Sequence, residues 1–371
     1  MKAELAEVSW EEGGTRRRAL WISESSPLPR RVVLADDTTR ANEAFRLAAE
    51  GTSLLYRGDY HNARQLLGAI TRRVKDAKHT GDLARDFQLY RQRQGREAQI
   101  AGKLLVEVDE NFVIPMRRAP DLSKALREAW ISLPRPALVP LREVLGTVGA
   151  HEWRENGVDV PALGARVHPH FGVFAPIRGE YVELVAQAPL NNAKLAFDIG
   201  TGTGVLAAVL AKRGVPKIVA TDSDLRSFQC ANENITRLGF ADRVEVRQLD
   251  VWPEGRADLI VCNPPWLPGR PTSRIERAIY DLDSGFLKRF VLELKDHLAP
   301  GGEGWLVMSD LAERLGLRPA AMLPELFETA GLVIRDTLRT TPRHKRANDR
   351  EDVLHVARSQ EQTALYRLAP R

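Results

Sequence analysis

The chain has little cysteine, no long apolar run, no internal repeat and no low-complexity tract. Two cysteines among 371 residues, Cys230 and Cys262, exclude a disulfide framework and leave too few thiolates for a cysteine-rich zinc site. This usage fits a reducing compartment, and a cytoplasmic location is expected. The longest uncharged apolar stretch, around Ile199 to Ala211, is broken by glycines and threonines and is too short to span a bilayer. No membrane partner is expected. Glu4, Glu7, Glu11 and Glu12 surround Trp10 where a signal peptide would be apolar, so secretion is not expected. What is present suffices for burial: 43% hydrophobic and 28% charged residues over a length of about two domains.

The formal net charge of +5 is unevenly spread. Residues 1–180 hold 28 Lys and Arg against 24 Asp and Glu; residues 181–371 hold 26 against 25. Within the first half, residues 61–100 carry nine basic and four acidic residues. A basic segment beside a near-neutral half suits a polyanionic partner, and equally an ordinary solvated helical surface.

Residues 1–35 read as irregular, with Arg16-Arg17-Arg18 and the Pro27 and Pro29 pair as breakers. Residues 36–150 read as a mainly helical domain. One helix runs from the Thr38-Thr39 cap to about Tyr56. A second places Ala63, Leu66, Leu67 and Ile70 on one face, and a third begins near Asp82. Asp109-Glu110-Asn111, between two apolar triplets, reads as a hairpin turn, and two short helices follow near Leu122–Trp130 and Pro140–Val148. Residues 151–180 join this domain to a second one, 181–371. There, short apolar runs alternate with helical stretches: 195–197, 217–220, 244–246, 259–261 and 305–308 are the strands, and 204–213 and 224–237 are helices. Such alternation predicts an α/β fold with a doubly wound, mostly parallel, Rossmann-like sheet.

Asp198-Ile199-Gly200-Thr201-Gly202-Thr203-Gly204 ends a strand and opens a helix. Glycines let backbone approach a ligand, and the helix N-terminus offers unpaired amides. Glycine spacing alone does not separate this loop from a dinucleotide site, because Ala207 satisfies the looser form of that pattern. The acid discriminates: Asp198, just before the loop, repels a pyrophosphate and attracts a cation. No Gly-Lys-Ser/Thr follows, so the loop is not a phosphate-binding P-loop. Asp222 lies at the end of the next strand, where a carboxylate takes ribose hydroxyls; Asp224 suits the cap of the following helix. Asp250 follows the third strand.

The glycine loop resembles the first motif of the class I, Rossmann-like, S-adenosylmethionine-dependent methyltransferases. The resemblance implies S-adenosyl-L-methionine as cofactor. Asp198, Gly200, Thr201, Gly202 and Gly204 would wrap its methionine part, Asp222 its ribose, and Asp250 would lie near its adenine.

The fourth strand runs into Asn263-Pro264-Pro265-Trp266. Two prolines stiffen the backbone and remove two amide donors. The Asn263 side-chain oxygen and the Pro264 carbonyl then serve as paired acceptors for a planar NH2 group, and Trp266 offers a face for stacking. The motif resembles that of amino-group methyltransferases: the small-domain rRNA guanine-N2 and adenine-N6 enzymes and the release-factor glutamine methyltransferases, many of which have Tyr or Phe where this chain has Trp266. The resemblance implies that Asn263, Pro264, Pro265 and Trp266 carry catalysis, Asn263 also facing the cofactor. It extends upstream through Phe171–Glu180, where Phe174 and Arg178 are possible pocket residues, and covers about residues 168–340. His168 and His170 flank Pro169 without an evident third ligand, so no metal is expected. Pro342–Arg346 with Arg350 forms a basic segment suited to phosphate contact. The reading is an N-methyltransferase acting on an amino group of a base in RNA, with rRNA the expected substrate. The alternatives are protein glutamine methylation, a noncatalytic RNA- or cofactor-binding module, and a small-molecule methyltransferase.

Overall fold

The computed structural model describes residues 6–75, 80–130, 132–342 and 354–371. The basic segment at 343–350 lies outside these described residues. The chain divides into two compact units, one of residues 1–78 and 88–152, the other of residues 79–87 and 153–371. No described helix is long and apolar enough to cross a membrane.

The first unit is built on six strands: β1 (Glu7–Glu12), β2 (Thr15–Trp21), β3 (Val32–Ala35), β4 (Ser53–Tyr56), β5 (Leu104–Val108) and β6 (Ala137–Pro140). Their order is β1-β2-β6-β5-β4-β3. Helices α1 (Ala41–Ala49), α2 (Tyr60–Thr71), α3 (Leu83–Ala101), α4 (Ser123–Ala129) and α5 (Leu141–Asn156) accompany this sheet, so the unit is mixed α/β and not the mainly helical domain expected. The sheet corrects three further expectations. The described part of the expected irregular segment 1–35, residues 6–35, carries strands instead, with Val8 and Trp10 alternating inward along β1. The arginines that looked like breakers lie on β2, Arg16 opposite Glu11 and Arg17 opposite Trp10. Opposite charges facing each other across strands stabilise such a pairing. The first helix stops at Ala49, and the fully buried β4 follows a turn at Gly51, φ 91°. The segment 104–114 is no hairpin: β5 pairs parallel with β4 and antiparallel with β6. The Asp109 carboxylate accepts from the Asn111 and Val113 amides (2.9 and 2.8 Å) and ends the strand in a turn.

Charged side chains fill the carboxyl end of β3 and β4. Asp37 accepts from Tyr56 Oη, the Asp59 amide, Asn62 Nδ2 and Arg117 Nη2 at 2.6–3.0 Å. The Asp59 amide first, then Asn62 and Tyr56, hold its carboxyl down to about 2. A Cβ at Gly58 would collide with the Asp37 carboxylate and sit 2.9 Å from Tyr56 Cε1. Gly58→Ala is therefore expected to destabilise this unit by about 1–3 kcal/mol, as overpacking does. A thermal scan checks this, and an unchanged melting temperature would remove the close approach from the argument.

The second unit opens with an antiparallel pair, β7 (Val158–Val160) and β8 (Ala165–Val167), and helix α6 (Glu180–Gln187). Its main sheet comprises β9 (Leu195–Ile199), β10 (Lys217–Asp222), β11 (Val244–Gln248), β12 (Ala257–Cys262), β15 (Leu298–Ser309), β16 (Leu332–Thr340) and β17 (Thr363–Pro370). The strands β13 (Leu267–Pro268) and β14 (Tyr280–Asp281) form a separate short pair. Sheet order is β11-β10-β9-β12-β15-β17-β16. Every pairing from β11 to β15 is parallel; β17 runs antiparallel to both its neighbours. Helices α7 (Val205–Lys212), α8 (Leu225–Arg237), α9 (Gly285–His297), α10 (Leu311–Arg314), α11 (Met322–Thr329) and α12 (His355–Ser359) complete the Rossmann-like unit.

Side-chain alternation along these strands feeds two cores. Ala196, Leu259, Val261, Trp305 and Val307 pack with α7, which is apolar from Val205 to Ala211. Phe197, Ile199, Ile260, Leu306 and Met308 pack with Leu287, Phe290 and Leu294 of α9. Helix α7, buried on nearly all sides, is thus fixed directly behind the loop that precedes it.

Candidate active site

The chain builds β9, β10 and β11 toward one edge, then returns to place β12 on the other side of β9. This reversal opens a crevice at the carboxyl ends of β9 and β12, the place where open α/β sheets bind ligands. The glycine loop leaves β9 there, and Asn263–Trp266 leaves β12.

Gly200, Gly202 and Gly204 all adopt positive φ, at 71°, 58° and 82°. The loop is tied to β10 by the Gly200 and Thr201 amides, which both donate to the Thr221 carbonyl at 2.9 Å. A Cβ on Gly204 would press on Ala231 of α8 at 3.3 Å, so this glycine serves helix packing. A Cβ on Gly202 meets nothing within 4 Å. Gly202→Arg should therefore keep the fold, at the cost of about 1–2 kcal/mol for a left-handed residue, while its side chain fills the crevice. Calorimetry with S-adenosylmethionine should show no binding; normal affinity would move the cofactor away from this loop.

Asp198 is buried, and its Oδ2 accepts from Thr201 Oγ1 (2.6 Å) and the Ala207 amide (3.0 Å). Its Oδ1 is buried with no hydrogen-bond partner. Burial pushes the carboxyl up to about 6, against the opposing pull of those two donors. A buried orphan acceptor beside an open loop wants a cationic or donating ligand. Asp222 ends β10; its Oδ2 accepts the Gly202 amide (3.0 Å) and its Oδ1 the Asp224 amide (3.0 Å). Burial raises its pKa as well. Asp222 thus shapes the glycine loop directly, a role that spacing did not reveal. Asp224 caps α8 through the Arg226 and Ser227 amides and holds Arg274 at 2.7 Å.

Asp250 does not join this buried pair. Its side chain is 74% exposed and bonded to Arg289 Nη1 at 2.8 Å. The unexpected feature is its neighbour. Val251 has φ 75°, the Trp252 amide donates to the Asp250 carbonyl (3.2 Å), and the Thr221 hydroxyl donates to the Val251 carbonyl (2.7 Å). A β-branched residue in such a turn is strained, and Thr221 holds it in place. Asp281 was also missed: its carboxylate accepts the Phe286 and Leu287 amides at the start of α9. Phe286 in turn lies over the glycine loop, 3.7 Å from the Cβ position of Gly200.

At the end of β12, Trp266 Nε1 donates to Asn263 Oδ1 at 2.9 Å. The Arg178 guanidinium lies over the indole, 5.0 Å from its centroid, and the ring packs against both cores. Trp266 is therefore not the free stacking face expected, because its indole N–H and one ring face are already engaged. Arg178 bonds Glu180 (3.0 Å) and Glu361 (2.9 Å) and so is tied down beside the site. Phe174 is half-buried. The two histidines diverge: His168 Nδ1 meets the Arg154 carbonyl (2.6 Å) and His170 Nε2 meets Glu233 (2.7 Å).

Residues 166–337 match the family model described as the methyltransferase small domain. Over 144 residues the chain is 31% identical to a tRNA1(Val) (adenine(37)-N6)-methyltransferase of Shewanella loihica, covering 36% of this chain and 59% of that protein's length. A protein of the same name from Bacteroides thetaiotaomicron is 32% identical over 171 residues, 44% of this chain and 71% of that relative. A Methanocaldococcus jannaschii relative, provisionally named a protein N5-glutamine methyltransferase, is 28% identical over 162 residues, 42% of this chain and 80% of its own. With the sheet order and the glycine loop, these similarities place the chain: it belongs to the class I S-adenosylmethionine-dependent methyltransferases of the small-domain type.

Proposed function

We propose that the chain is an S-adenosylmethionine-dependent N-methyltransferase that acts on an exocyclic amino group of an RNA base in the cytoplasm. The observation that carries this reading is the meeting, at one crevice, of the orphan Asp198 Oδ1 and the Asn263–Trp266 motif. Asp198 and the open face of Gly202 fit a bound S-adenosylmethionine: the carboxylate matches its ammonium, and the loop leaves room for its chain. The cofactor, when bound, supplies an electrophilic methyl group. The protein's own part is positioning. Asn263 Oδ1 keeps one lone pair beyond the Trp266 N–H. With the Pro264 carbonyl, it accepts the two hydrogens of an NH2 group. Both acceptors stabilise the positive charge that develops on the nitrogen as it is methylated, and alignment supplies the rest of the rate. No strong base is needed, since the proton leaves after transfer.

RNA is favoured by the basic segment at 61–100 and by the exposed Arg16, Arg17 and Arg18 of β2. The tRNA enzymes among the relatives point the same way. A protein glutamine side chain is the second reading, favoured by the Methanocaldococcus relative, because the same acceptor pair receives a primary amide. Methyl transfer from tritiated S-adenosylmethionine into extracts of a strain lacking this protein separates them. Label removed by RNase supports RNA, whose binding should also weaken steeply with salt. Label removed only by protease establishes the second reading in its place.

A further inference from the structure

We propose that Arg178 and Glu361 are positioning residues for the Asn263 carboxamide, acting through the Trp266 indole. This rests on the reading of Asn263 as the acceptor that holds the substrate amino group.

Glu361 is fully buried, and it lies 183 residues from the arginine it binds. Its Oε1 accepts both Arg178 Nη2 (2.9 Å) and the hydroxyl of Ser309 (2.5 Å), which ends β15. Its Oε2 is buried with no partner. A carboxylate in such a place is costly and persists only against a well-placed cation. Arg178 is held at a second donor, Nε, by Glu180, whose side chain is 4% exposed. Bonds at Nε and Nη2 fix the guanidinium, and its central carbon lies over the Trp266 ring. The attraction between a cation and an aromatic face orders the ring.

The ordered ring has one polar atom, Nε1, and it donates to Asn263 Oδ1. The two ends of a carboxamide have nearly the same shape, so packing alone does not choose between them. An N–H donor does choose, because it accepts only the oxygen as neighbour. Were Asn263 turned over, its own NH2 would face the substrate NH2, donor against donor. The chain Glu361 to Arg178 to Trp266 to Asn263 thus selects the competent orientation of the motif. Its members come from the segment before α6, the loop after β12 and the turn between α12 and β17, which explains why no local pattern announces it. Phenylalanine or tyrosine at position 266 would have no donor at this edge of the ring, so the device depends on the tryptophan this chain carries.

The test reads the Trp266 indole itself, by 15N NMR of the full chain, its resonance assigned by loss in Trp266→Phe. Glu361→Gln, nearly isosteric, and Arg178→Lys, which keeps charge without the planar fork, are the variants. Both are expected to shift the Trp266 indole resonance and speed its hydrogen exchange about tenfold or more, a loss of protection of about 1.4 kcal/mol. S-adenosylmethionine affinity by calorimetry should stay as in the wild type. With bulk RNA from a strain lacking the protein as probe, apparent kcat should fall about tenfold with KM unchanged. Glu361→Gln combined with Trp266→Phe should be no slower than Trp266→Phe alone, as expected for groups in one network. An unchanged indole, or a normal kcat in a variant whose indole is loosened, overturns the proposal. Asn263→Ala, measured alongside, identifies which claim has failed. If it also turns over normally, the reading of the site falls; if it is inactive while the other variants are not, only the positioning role falls.

Discussion

Asp198→Asn is expected to make the ligand-free protein more stable at pH 7 and S-adenosylmethionine binding weaker. The carboxyl is buried and stands at about 6 against an ordinary value near 3.8. The folded state therefore holds a proton that the unfolded chain releases between about pH 4 and 6. Its favourable contribution is complete below about pH 4 and lost as pH rises through about 6. At pH 7 the ionised form costs the fold about 3 kcal/mol, from about 2 pKa units. Asparagine removes that cost, and its oxygen still accepts from Thr201 and Ala207. The same carboxylate is what a ligand ammonium needs, and losing a charge-assisted bond weakens binding by about 10- to 100-fold. The wild type should bind the cofactor less tightly as pH falls below about 6, while the variant should be flat across that range. Thermal scans and calorimetry at both ends check the pair of effects; a variant both less stable and equally tight would show that Asp198 is structural.

Asn263→Ala is expected to lower turnover about 10²-fold or more, the size seen when one preorganised polar partner of a transition state is lost, with cofactor affinity unchanged. The Trp266 N–H, a partly buried donor, also loses its acceptor, so a stability loss of about 1–3 kcal/mol should accompany it. Single-turnover kinetics at saturating S-adenosylmethionine separate the two, since a loss of stability alone leaves the rate of the folded fraction intact. A near-normal rate would take Asn263 out of the mechanism.

The sites that sequence reveals here are those where backbone and chemistry coincide. Gly200, Gly202 and Gly204 stand out because only glycine takes three positive φ values in five residues cheaply. Asp198 and Asp222 stand out because each sits at a strand end. The alternating strands and helices of the second unit are legible for a related reason: β9, β10 and β12 are short apolar runs with clear stops. The first unit was harder. Strand β4, Ser-Leu-Leu-Tyr, is buried on both faces and so lacks alternation; it reads as the tail of the preceding helix. Strand β6 ends on Pro140, a residue that argues against a strand in sequence and is tolerated at its end. Nothing local could reveal the partners that decide the site's behaviour. The exposure of Asp250, the strained Val251 turn and the tie from Glu361 to Trp266 all depend on which segments the fold brings together.

The antiparallel strand has a consequence for assembly. β17 is the last strand of the sheet in sequence, yet it lies between β15 and β16. During synthesis β16 emerges with no neighbour to pair with, and β15 waits as an open, apolar edge. The sheet is closed from the inside by its final arrival, which also carries Glu361 into place. A chain arrested before residue 363 would present that unpaired edge to other chains, a template for aggregation. Pulse-chase folding of such a nascent chain should find the first unit protease-resistant well before the second, with methyl-transfer competence appearing only in the last step.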